Sequence, residues 1–337
     1  MNRQAMVLTT INAPTPAVLE LASRSHDWPL VVVGDAKTPA NWHVPDTKFM
    51  SMAEQQASPG RLAASLPLNH YCRKNLGYLT AISNGATILA ETDDDNFPEG
   101  WPYETPVEHL EAPVLSTDGW ANVYFYFTES KIWPRGLPLG EIVGDLPRWE
   151  NLPTAGRKIG VHQFLAAGDP DVDAIYRLTV GRDDHKFFDR SLILDKGTAV
   201  PFNSQCTIWF EEAFPLMYLP SNVSFRMTDI WRSFIAQICL WAMDSHVAYH
   251  GRGVYQERNA HDLHRDFLQE MVGYERNDEI FQTLSALELD SDPVNAGKNL
   301  KTCYRALRKI DIVDDAELAM VDDWLSDLEA IKNGQKL

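Results

Sequence analysis

The sequence predicts an α/β domain, with helices covering both faces of its sheet, followed by a helical C-terminal extension. Three observations support this prediction. The first hundred residues alternate short β-branched runs with helical segments, which is typical of β-α-β units. One of these runs, 29–33, is continuously apolar, as expected of a parallel strand that is buried on both faces. After His264, apolar residues recur every three or four positions, which indicates amphipathic helices.

The N-terminal elements follow one another in a simple order. A β-branched run at 6–11 predicts the first strand and a helix follows at 17–23, before the second strand at 29–33. Asn12 lies where the first strand ends and Asp35 where the second one ends. Ligands of such sheets gather at the carboxyl ends of the strands, so both residues lie where a ligand is expected.

A helix at 69–84 and a strand at 86–92 follow, and the strand leads directly into three consecutive aspartates, 93–95. The Pro- and Trp-rich stretch 97–153 contains one strand candidate, 121–127, and is interpreted as excursions around the site. Later strands are predicted at 174–180 and 191–194, with a buried helix at 229–243.

The acidic tail predicts helices that break near 290–293. It is expected either to cap the α/β domain or to serve as a dimerisation element, so a homo-oligomer is one prediction. Phe267, Met271, Trp324 and Leu328 are the apolar residues expected to be buried by these helices. We therefore divide the chain into a larger α/β domain, 1–261, and a helical extension, 262–337.

Length, composition and charge limit the classes of function. The chain has 337 residues, 45% of them apolar and 23% charged, which suits a folded globular protein. The formal net charge of −17 argues against nucleic-acid binding through a broad basic face. A small anionic ligand is still compatible with this charge if a divalent ion or an arginine cluster reverses the sign locally.

Cysteine spacing and hydropathy exclude further classes. The four cysteines are scattered without metal-site spacing, so neither a structural zinc nor a disulfide framework is predicted. No apolar run approaches the roughly 18 to 20 residues of a membrane helix, and no transmembrane segment is predicted. The N-terminus leads into a strand and not into a signal peptide, so we predict a cytoplasmic protein.

The aspartate triplet is the strongest chemical signal. Alternate residues of an extended segment share a face, so Asp93 and Asp95 should lie on the same side of the strand end. Carboxylate oxygens in that arrangement suit Mg²⁺ or Mn²⁺, and the alternative is a solvated acidic turn. A cation at this position would bridge to the phosphates of a ligand. Arg73 and Lys74, at the start of the preceding helix, would place donors near those phosphates, which favours metal binding.

Six segments carry a resemblance to a known family. They are 73–79, 91–96, 133–139, 168–174, 201–205 and 225–232. Together and in this order they resemble the STELLO-like glycosyltransferases. More distantly, they are similar to the reversibly glycosylated polypeptides, which are UDP-arabinopyranose mutases.

The resemblance implies a GT-A (Rossmann-like) mixed sheet flanked by helices, a nucleotide-diphosphate sugar donor such as a UDP-sugar, and Mn²⁺ or Mg²⁺. The expected reaction is transfer of the sugar to a hydroxyl group of a carbohydrate or glycan acceptor. The alternatives are a nucleotide-sugar mutase and a non-catalytic family member that acts as a binding partner. Where the mutases carry a second arginine after their arginine-glycine segment, this chain has Gly140 and Glu141, which favours transfer.

Roles for single residues follow from chemistry with the resemblance as a guide. Asp229 is the candidate catalytic base for an acceptor hydroxyl, and its alternative role is a helix N-cap. Arg135 is the candidate catalytic cation for the diphosphate, against a surface ion pair. His261 is expected to complete a metal shell with Asp93 and Asp95, and its alternative role is purely structural.

The remaining candidates concern the ligand around the metal. The predicted nucleotide-sugar-binding residues are Thr10, Asn12, Asp35, Arg73, Lys74, Asp94 and Arg232, of which Asn12 and Asp35 are expected to hold base and ribose. A second acidic cluster, Asp169, Asp171 and Asp173, is interpreted either as a turn or as a sugar-binding group. Trp209 and Trp231 either stack on a sugar or fill the core, and the core is favoured.

Overall fold

The computed structural model describes residues 3–24, 26–100, 106–181, 184–257 and 262–336. The strands are β1 (Gln4–Thr9), β2 (Leu30–Val33), β3 (Thr47–Met50), β4 (Ile88–Thr92), β5 (Asn96–Pro98), β6 (His109–Leu115), β7 (Gly119–Trp120), β8 (Thr154–Gly168), β9 (Ser191–Leu194), β10 (Thr198–Ala199), β11 (Cys206–Phe210) and β12 (His246–Gln256). The helices are α1 (Pro16–Arg24), α2 (Met52–Ala57), α3 (Arg61–Ser65), α4 (Lys74–Ser83), α5 (Ala174–Thr179), α6 (Thr228–Ala242), α7 (Leu263–Ser285), α8 (Ala296–Lys309) and α9 (Asp315–Lys332).

A large mixed sheet forms the centre of the fold. Its strands follow the order β3-β2-β1-β4-β11-β8-β6-β9-β12-β5, and β8 also pairs with β12. The N-terminal part, β3-β2-β1-β4, is parallel throughout. β11 runs antiparallel to both β4 and β8, and β12 is parallel to β8. The predicted architecture, a mixed sheet flanked by helices with helices at the C-terminus, is confirmed.

The parallel part of the sheet is buried on both faces, as the continuous apolar run predicts. Val31 and Val33 of β2 pack into the larger core, which α4, α6 and the extension cover. Leu30 and Val32 pack into the core on the opposite face, beneath α1. Successive strand residues point to opposite faces, so four consecutive apolar residues fill both layers.

Gly77 allows α4 to approach the sheet closely. A Cβ atom at this position would lie 2.5 Å from Cγ1 of Val7 and 2.7 Å from Cγ2 of Val33. Both distances are shorter than real Cβ contacts, so any side chain here would push the helix away from β1 and β2. This close packing fixes the start of α4 beside the carboxyl ends of those strands, where the candidate site lies.

Two short apolar runs predicted as strands are helical. Within 121–127 the structure has a 3₁₀ helix at Val123–Tyr126, and the run 174–180 contains α5. The side chain of Asn122 donates to the carbonyl oxygens of Ile132 (3.0 Å) and Ile142 (3.2 Å), which fixes a compact turn. Asp173 caps α5 by accepting a 2.7 Å hydrogen bond from the amide of Tyr176.

Other elements match the prediction closely. The strand predicted at 191–194 is β9, and the helix predicted at 229–243 is α6. The break predicted at 290–293 separates α7 from α8. The predicted excursions within 97–153 include β6, which joins the sheet. The 15-residue strand β8 was not predicted.

The extension packs against the rest of the chain through buried carboxylates as well as apolar side chains. Glu317 of α9 accepts hydrogen bonds from the hydroxyl of Tyr218 (2.6 Å) and the amide of Asn222 (2.7 Å). Trp324 and Leu328 are buried as predicted, Phe267 is half-buried and Met271 is 38% exposed. No helix in the described ranges combines the length and the apolar composition that a membrane span requires.

A buried histidine pair joins the central strands of the sheet. Nδ1 of His162 in β8 lies 2.8 Å from Nε2 of His250 in β12, and its Nε2 lies 2.9 Å from the carbonyl oxygen of Val107. The hydroxyl of Ser191 lies 2.8 Å from Nδ1 of His250. Burial lowers the pKa of both histidines, to about 4 for His162. Both rings are therefore neutral at pH 7.

Candidate functional site

A cleft of about 480 Å³ lies at the carboxyl ends of β1, β2 and β4. Its lining includes the ends of these strands, 9–12 and 33–35, and the start of α4 with the turn before it. The aspartate triplet and residues from 203–205 and 225–229 also line it. The parallel half of the sheet thus places the cleft at the edge where ligands bind in such folds.

The triplet is a turn between β4 and β5, and its side chains alternate as the sequence predicts. Asp93 and Asp95 are half-buried and line the cleft. Asp94 is buried, and its Oδ2 accepts hydrogen bonds from the hydroxyl of Thr10 (2.5 Å) and the side-chain amide of Asn12 (3.0 Å). Three predicted nucleotide-sugar-binding residues thus bind one another and fix the triplet to the end of β1.

Asp93 lies over a buried cation. Its Oδ1 accepts from the hydroxyl of Tyr71 (2.6 Å) and from Nζ of Lys74 (3.0 Å). Lys74 is fully buried and donates also to the hydroxyl of Tyr71 (2.5 Å) and the carbonyl oxygen of Ser204 (3.1 Å). Burial raises the pKa of Asp93, and the charge of Lys74 opposes that rise. Burial also raises the pKa of Tyr71, with the Asp93 carboxylate adding to the effect.

The donor set fits a hard divalent cation. Oδ2 of Asp93 has no hydrogen-bond donor among the described residues. Nε2 of Gln256 lies 3.4 and 3.3 Å from Oδ1 and Oδ2 of Asp95. In the described ranges, the structure brings no three His, Cys, Asp or Glu side chains together as metal ligands. His261, the predicted third ligand, lies outside the described residues.

Asp35 and Arg73 connect the loops on the β2 side of the cleft. The Asp35 carboxylate accepts from the backbone amides of Ala36 (2.6 Å), Asn69 (2.8 Å) and His70 (3.0 Å). Nε of Arg73 donates to the side chain of Gln55 (2.8 Å), and its Nη1 donates to backbone carbonyl oxygens. Both predicted ligand-binding residues line the cleft, and both also hold its backbone in place.

Asp229 lines the cleft from the first turn of α6. It shares the guanidinium of Arg135 with Asp171: Nε and Nη2 of Arg135 lie 2.8 Å from the two Asp171 oxygens. Nη1 and Nη2 lie 3.1 Å from the two Asp229 oxygens, and Nη1 also donates to the carbonyl oxygen of Arg226. All five N–H groups of this guanidinium are therefore directed at protein acceptors. Arg135 thus bridges two carboxylates. It has no N–H left for the diphosphate that it was predicted to bind.

The two arginines that flank Asp229 in the sequence point elsewhere. Nε and Nη2 of Arg226 donate to Oε1 of Glu270 in α7, at 2.9 and 2.8 Å. Arg232 forms a two-point ion pair with the buried Glu91, at 3.0 and 2.8 Å, and lies outside the residues that line the cleft. The structure thus places Arg232 in the core, outside the cleft in which the sequence predicted it to bind a nucleotide sugar.

The second acidic cluster and the two tryptophans separate into different roles. Asp171 lines the cleft, Asp169 pairs with Arg177, and Asp173 caps α5 while accepting from the indole of Trp133 (2.7 Å). Burial raises the pKa of Asp173 to about 6. The tryptophans Trp209 and Trp231 are 0% and 3% exposed, with indole N–H groups donating to Glu91 and Asn277. Both therefore fill the core.

Comparisons with known proteins find similarity to sequences that are named glycosyltransferases. Residues 226–334 match the family model described as STELLO glycosyltransferases. "Probable glycosyltransferase STELLO1" of Arabidopsis thaliana is 29% identical over 263 residues, which cover 72% of this chain and 34% of that protein. This chain is thus similar in sequence to a protein named a probable STELLO glycosyltransferase. "Probable glycosyltransferase STELLO2" of the same plant is 29% identical over 271 residues, covering 74% of this chain and 35% of that protein.

The resemblance read from the six segments is therefore confirmed, and the chain spans about a third of the length of these curated relatives. The STELLO match begins at Arg226 and runs through α6 to α9, so it contains both Asp229 and the helical extension. A solved structure titled "Crystal Structure of a Mycobacterial Protein" aligns with a TM-score of 0.38 and 10% identity, covering 93% of this chain and 76% of that one.

Several polar residues of the cleft were not predicted from the sequence. Tyr71 and Ser204 connect Asp93 with Asp229: the Tyr71 hydroxyl lies 2.6 Å from Oγ of Ser204, whose amide donates to Asp229 at 3.3 Å. Asn203 donates to Asp171 (2.9 Å), and Gln256 ends β12 beside the triplet. The segment 201–205 was one of the six that carried the resemblance, which is the signal that singles out Asn203 and Ser204.

Proposed function

We propose that this chain is a metal-dependent glycosyltransferase that uses a nucleotide-diphosphate sugar, with UDP-sugars as the first donor class, and transfers the sugar to a hydroxyl group of a carbohydrate or glycan. One observation carries the proposal: a single cleft is lined by a carboxylate pair at a strand end and by a separate carboxylate, Asp229, from α6. The STELLO relatives, which are named probable glycosyltransferases, support transfer chemistry. The chain spans about a third of their length, so activity, donor and acceptor all belong to the proposal.

In this proposal Asp93 and Asp95 hold Mn²⁺ or Mg²⁺. Oxygen ligands on one side of a strand end suit these ions, and the free Oδ2 of Asp93 supports such a role. Lys74 and Tyr71 hold the other oxygen of Asp93, so the carboxylate has a fixed orientation before any ligand arrives. When bound, a divalent cation supplies positive charge to the leaving diphosphate. His261 stays a proposed ligand.

The ends of β1 and β2 are proposed to bind the nucleotide. Thr10, Asn12 and Asp35 line this part of the cleft. Their side chains already hold Asp94 and the loop at 69–70, which makes the surface rigid. A rigid, preformed surface lowers the entropy that ligand binding costs, and the remaining lone pairs and amide protons are available to ribose and base.

Asp229 is proposed to accept the proton of the acceptor hydroxyl. Its carboxylate lines the cleft, and Arg135 holds both of its oxygens in place. A single hydrogen bond to Oδ1, from Nη1 of Arg135, is recorded in the described part of the chain, so this oxygen retains capacity to accept a proton. A positioned carboxylate base contributes typically about 10² to 10⁴ in rate.

A thermal-shift screen of nucleotide sugars, with and without Mn²⁺, tests the proposal. A ligand at 100 times its Kd stabilises a protein by about 2.7 kcal/mol, which for a chain of this length corresponds to a rise in Tm of about 4 °C. We expect this rise only when the cation is present. Asp95→Ala should abolish it, and Asp118→Ala, which removes an exposed carboxylate outside the cleft, should preserve it.

Two outcomes would contradict parts of the proposal. Equal, cation-independent binding in wild type and Asp95→Ala would exclude the triplet as the metal site. No stabilisation by any nucleotide sugar would exclude the donor class. Incubation with a binding UDP-sugar and no acceptor then separates the mutase alternative, because a mutase would produce the ring isomer of the sugar.

The cytoplasmic location and self-association through the extension stay predictions. Fractionation of cells that express the tagged chain and sedimentation of the purified protein would test them separately.

A further inference from the structure

Among the described residues, the cleft carries more negative than positive charge. Six carboxylates in this part of the chain line it: Asp35, Asp93, Asp94, Asp95, Asp171 and Asp229. A diphosphate would add further negative charge, and one divalent cation offsets only part of the sum. Each lysine or arginine that lines the cleft is therefore a candidate for contact with the ligand's phosphates.

Most cations of this region already have protein partners. Arg135 directs all five N–H groups at protein acceptors, and Lys74, beneath the triplet, directs all three of its own at Tyr71, Asp93 and Ser204. Arg226 is paired with the buried Glu270. Arg73, which is 2% exposed, donates through Nε and Nη1 to Gln55, Leu66 and Pro67. A cation that is already paired with a carboxylate must give up that contact to bind a phosphate. Its net gain in binding free energy is therefore smaller than that of a cation without a partner.

Lys37 differs from these residues. It lines the cleft and is exposed, and within the described ranges the structure records no acceptor for its ammonium group. It follows β2 in a loop that is well fixed: the hydroxyl of Thr38 accepts from the amide of Asp35 (2.7 Å) and donates to the carbonyl oxygen of Thr10 (2.7 Å). Thr10 in turn donates to Asp94 of the triplet. The loop that carries Lys37 is thus linked to the triplet through Thr10.

We infer that Lys37 is a phosphate-binding residue of this cleft, an inference that rests on the proposed function. A lysine ammonium binds phosphate as a point charge at the end of a flexible stem, so it can reach a ligand without any movement of the backbone. It is exposed, so little desolvation opposes the contact. The interaction is electrostatic and weakens as the salt concentration rises.

Calorimetric titration of UDP and of uridine in the presence of Mn²⁺ tests this role. Lys37→Ala should weaken UDP binding by about fivefold to tenfold at low salt and leave uridine binding unchanged, because uridine has no phosphate. Lys37→Arg should keep UDP affinity within about twofold, since it keeps the charge. Lys196→Ala is the matched control, because Lys196 is an exposed lysine outside the cleft.

The outcomes separate this inference from the proposed function. If wild type binds UDP and Lys37→Ala binds it equally well, the role of Lys37 is refuted and the proposed function stands. An equal loss for UDP and uridine would assign Lys37 to the nucleoside and refute a phosphate contact. If wild type with Mn²⁺ binds no UDP, the UDP donor class and the inference both fail.

Discussion

Replacing Arg232 by methionine separates a structural role from the ligand-binding role that the sequence suggested. The guanidinium makes two hydrogen bonds to Glu91, of 3.0 and 2.8 Å, and the two side chains are 1% and 0% exposed. Burial acts to lower the pKa of Arg232, but contact with the Glu91 carboxylate raises it overall. The variant would leave Glu91 buried with only uncharged donors, the Trp209 indole and the Tyr78 hydroxyl.

The magnitude follows from the burial of both partners. Removing one member of a buried ion pair typically costs about 3 to 5 kcal/mol. The entropy of unfolding is about 2.1 cal/mol/K per residue, which gives about 0.7 kcal/mol/K for the 337 residues. The expected decrease in Tm is therefore about 4 to 7 °C. The double variant Glu91→Gln, Arg232→Met should recover part of this loss, because no charge is left unpaired.

Differential scanning calorimetry measures the decrease, with Arg308→Met as the control. Arg308 pairs with Asp315 at the surface, so its loss should change Tm much less. Nucleotide-sugar affinity of Arg232→Met, measured well below its Tm, should equal that of wild type. A Tm like that of the control together with a loss of affinity would refute the structural role and restore Arg232 to the binding site.

Three further predictions concern turnover, pH and the extension. Asp229→Asn should keep donor binding nearly normal and reduce kcat at least about a hundredfold, and loss of donor affinity at unchanged kcat would reassign Asp229 to binding. Since burial lowers the pKa of His162 to about 4, unfolding takes up a proton as pH falls from about 6.5 to about 4, and stability should fall by about 3 kcal/mol over that window. Urea denaturation at several pH values should show that the free energy of unfolding falls less with decreasing pH in His162→Gln than in wild type. An equal fall in both proteins would contradict the lowered pKa of His162. Glu317→Ala should lower the free energy of unfolding by about 3 kcal/mol, against little change in the exposed Glu329→Ala, because it leaves the amide and hydroxyl partners of Glu317 without an acceptor.

The fold was predictable where long or continuous patterns decide it. The helix α6 has apolar residues on nearly every side and is buried along almost its whole length, so its sequence has no competing interpretation. β2 is apolar at four consecutive positions because two cores cover it. The apolar runs at 121–127 and 174–180 are too short for their pattern to distinguish a strand from a helix. Side-chain hydrogen bonds stabilise the observed conformations instead. Asn122 donates to the carbonyl oxygens of Ile132 and Ile142, and Asp173 accepts from the amide of Tyr176 at the start of α5.

The candidate site was predictable only in part. Strand ends indicate where ligands bind, and that rule placed Asn12, Asp35 and the triplet in one cleft. The partners of charged groups depend on tertiary pairing, which the sequence does not show. Arg135 and Arg232 had the chemistry of phosphate ligands, yet each faces carboxylates that come from distant parts of the chain. Lys37 belongs to no motif. It is distinguished by its place in the cleft lining and by the absence of a recorded acceptor for its ammonium group among the described residues.

The guanidinium shared by Asp171 and Asp229 also makes the charge of the cleft easy to change during evolution. A codon for aspartate becomes one for asparagine by a single base change. An asparagine at position 171 would remove one carboxylate from this trio, shift its charge from about −1 to neutral, and leave part of Arg135 free to contact an anion. A lineage could therefore move towards more anionic donors with its backbone unaltered.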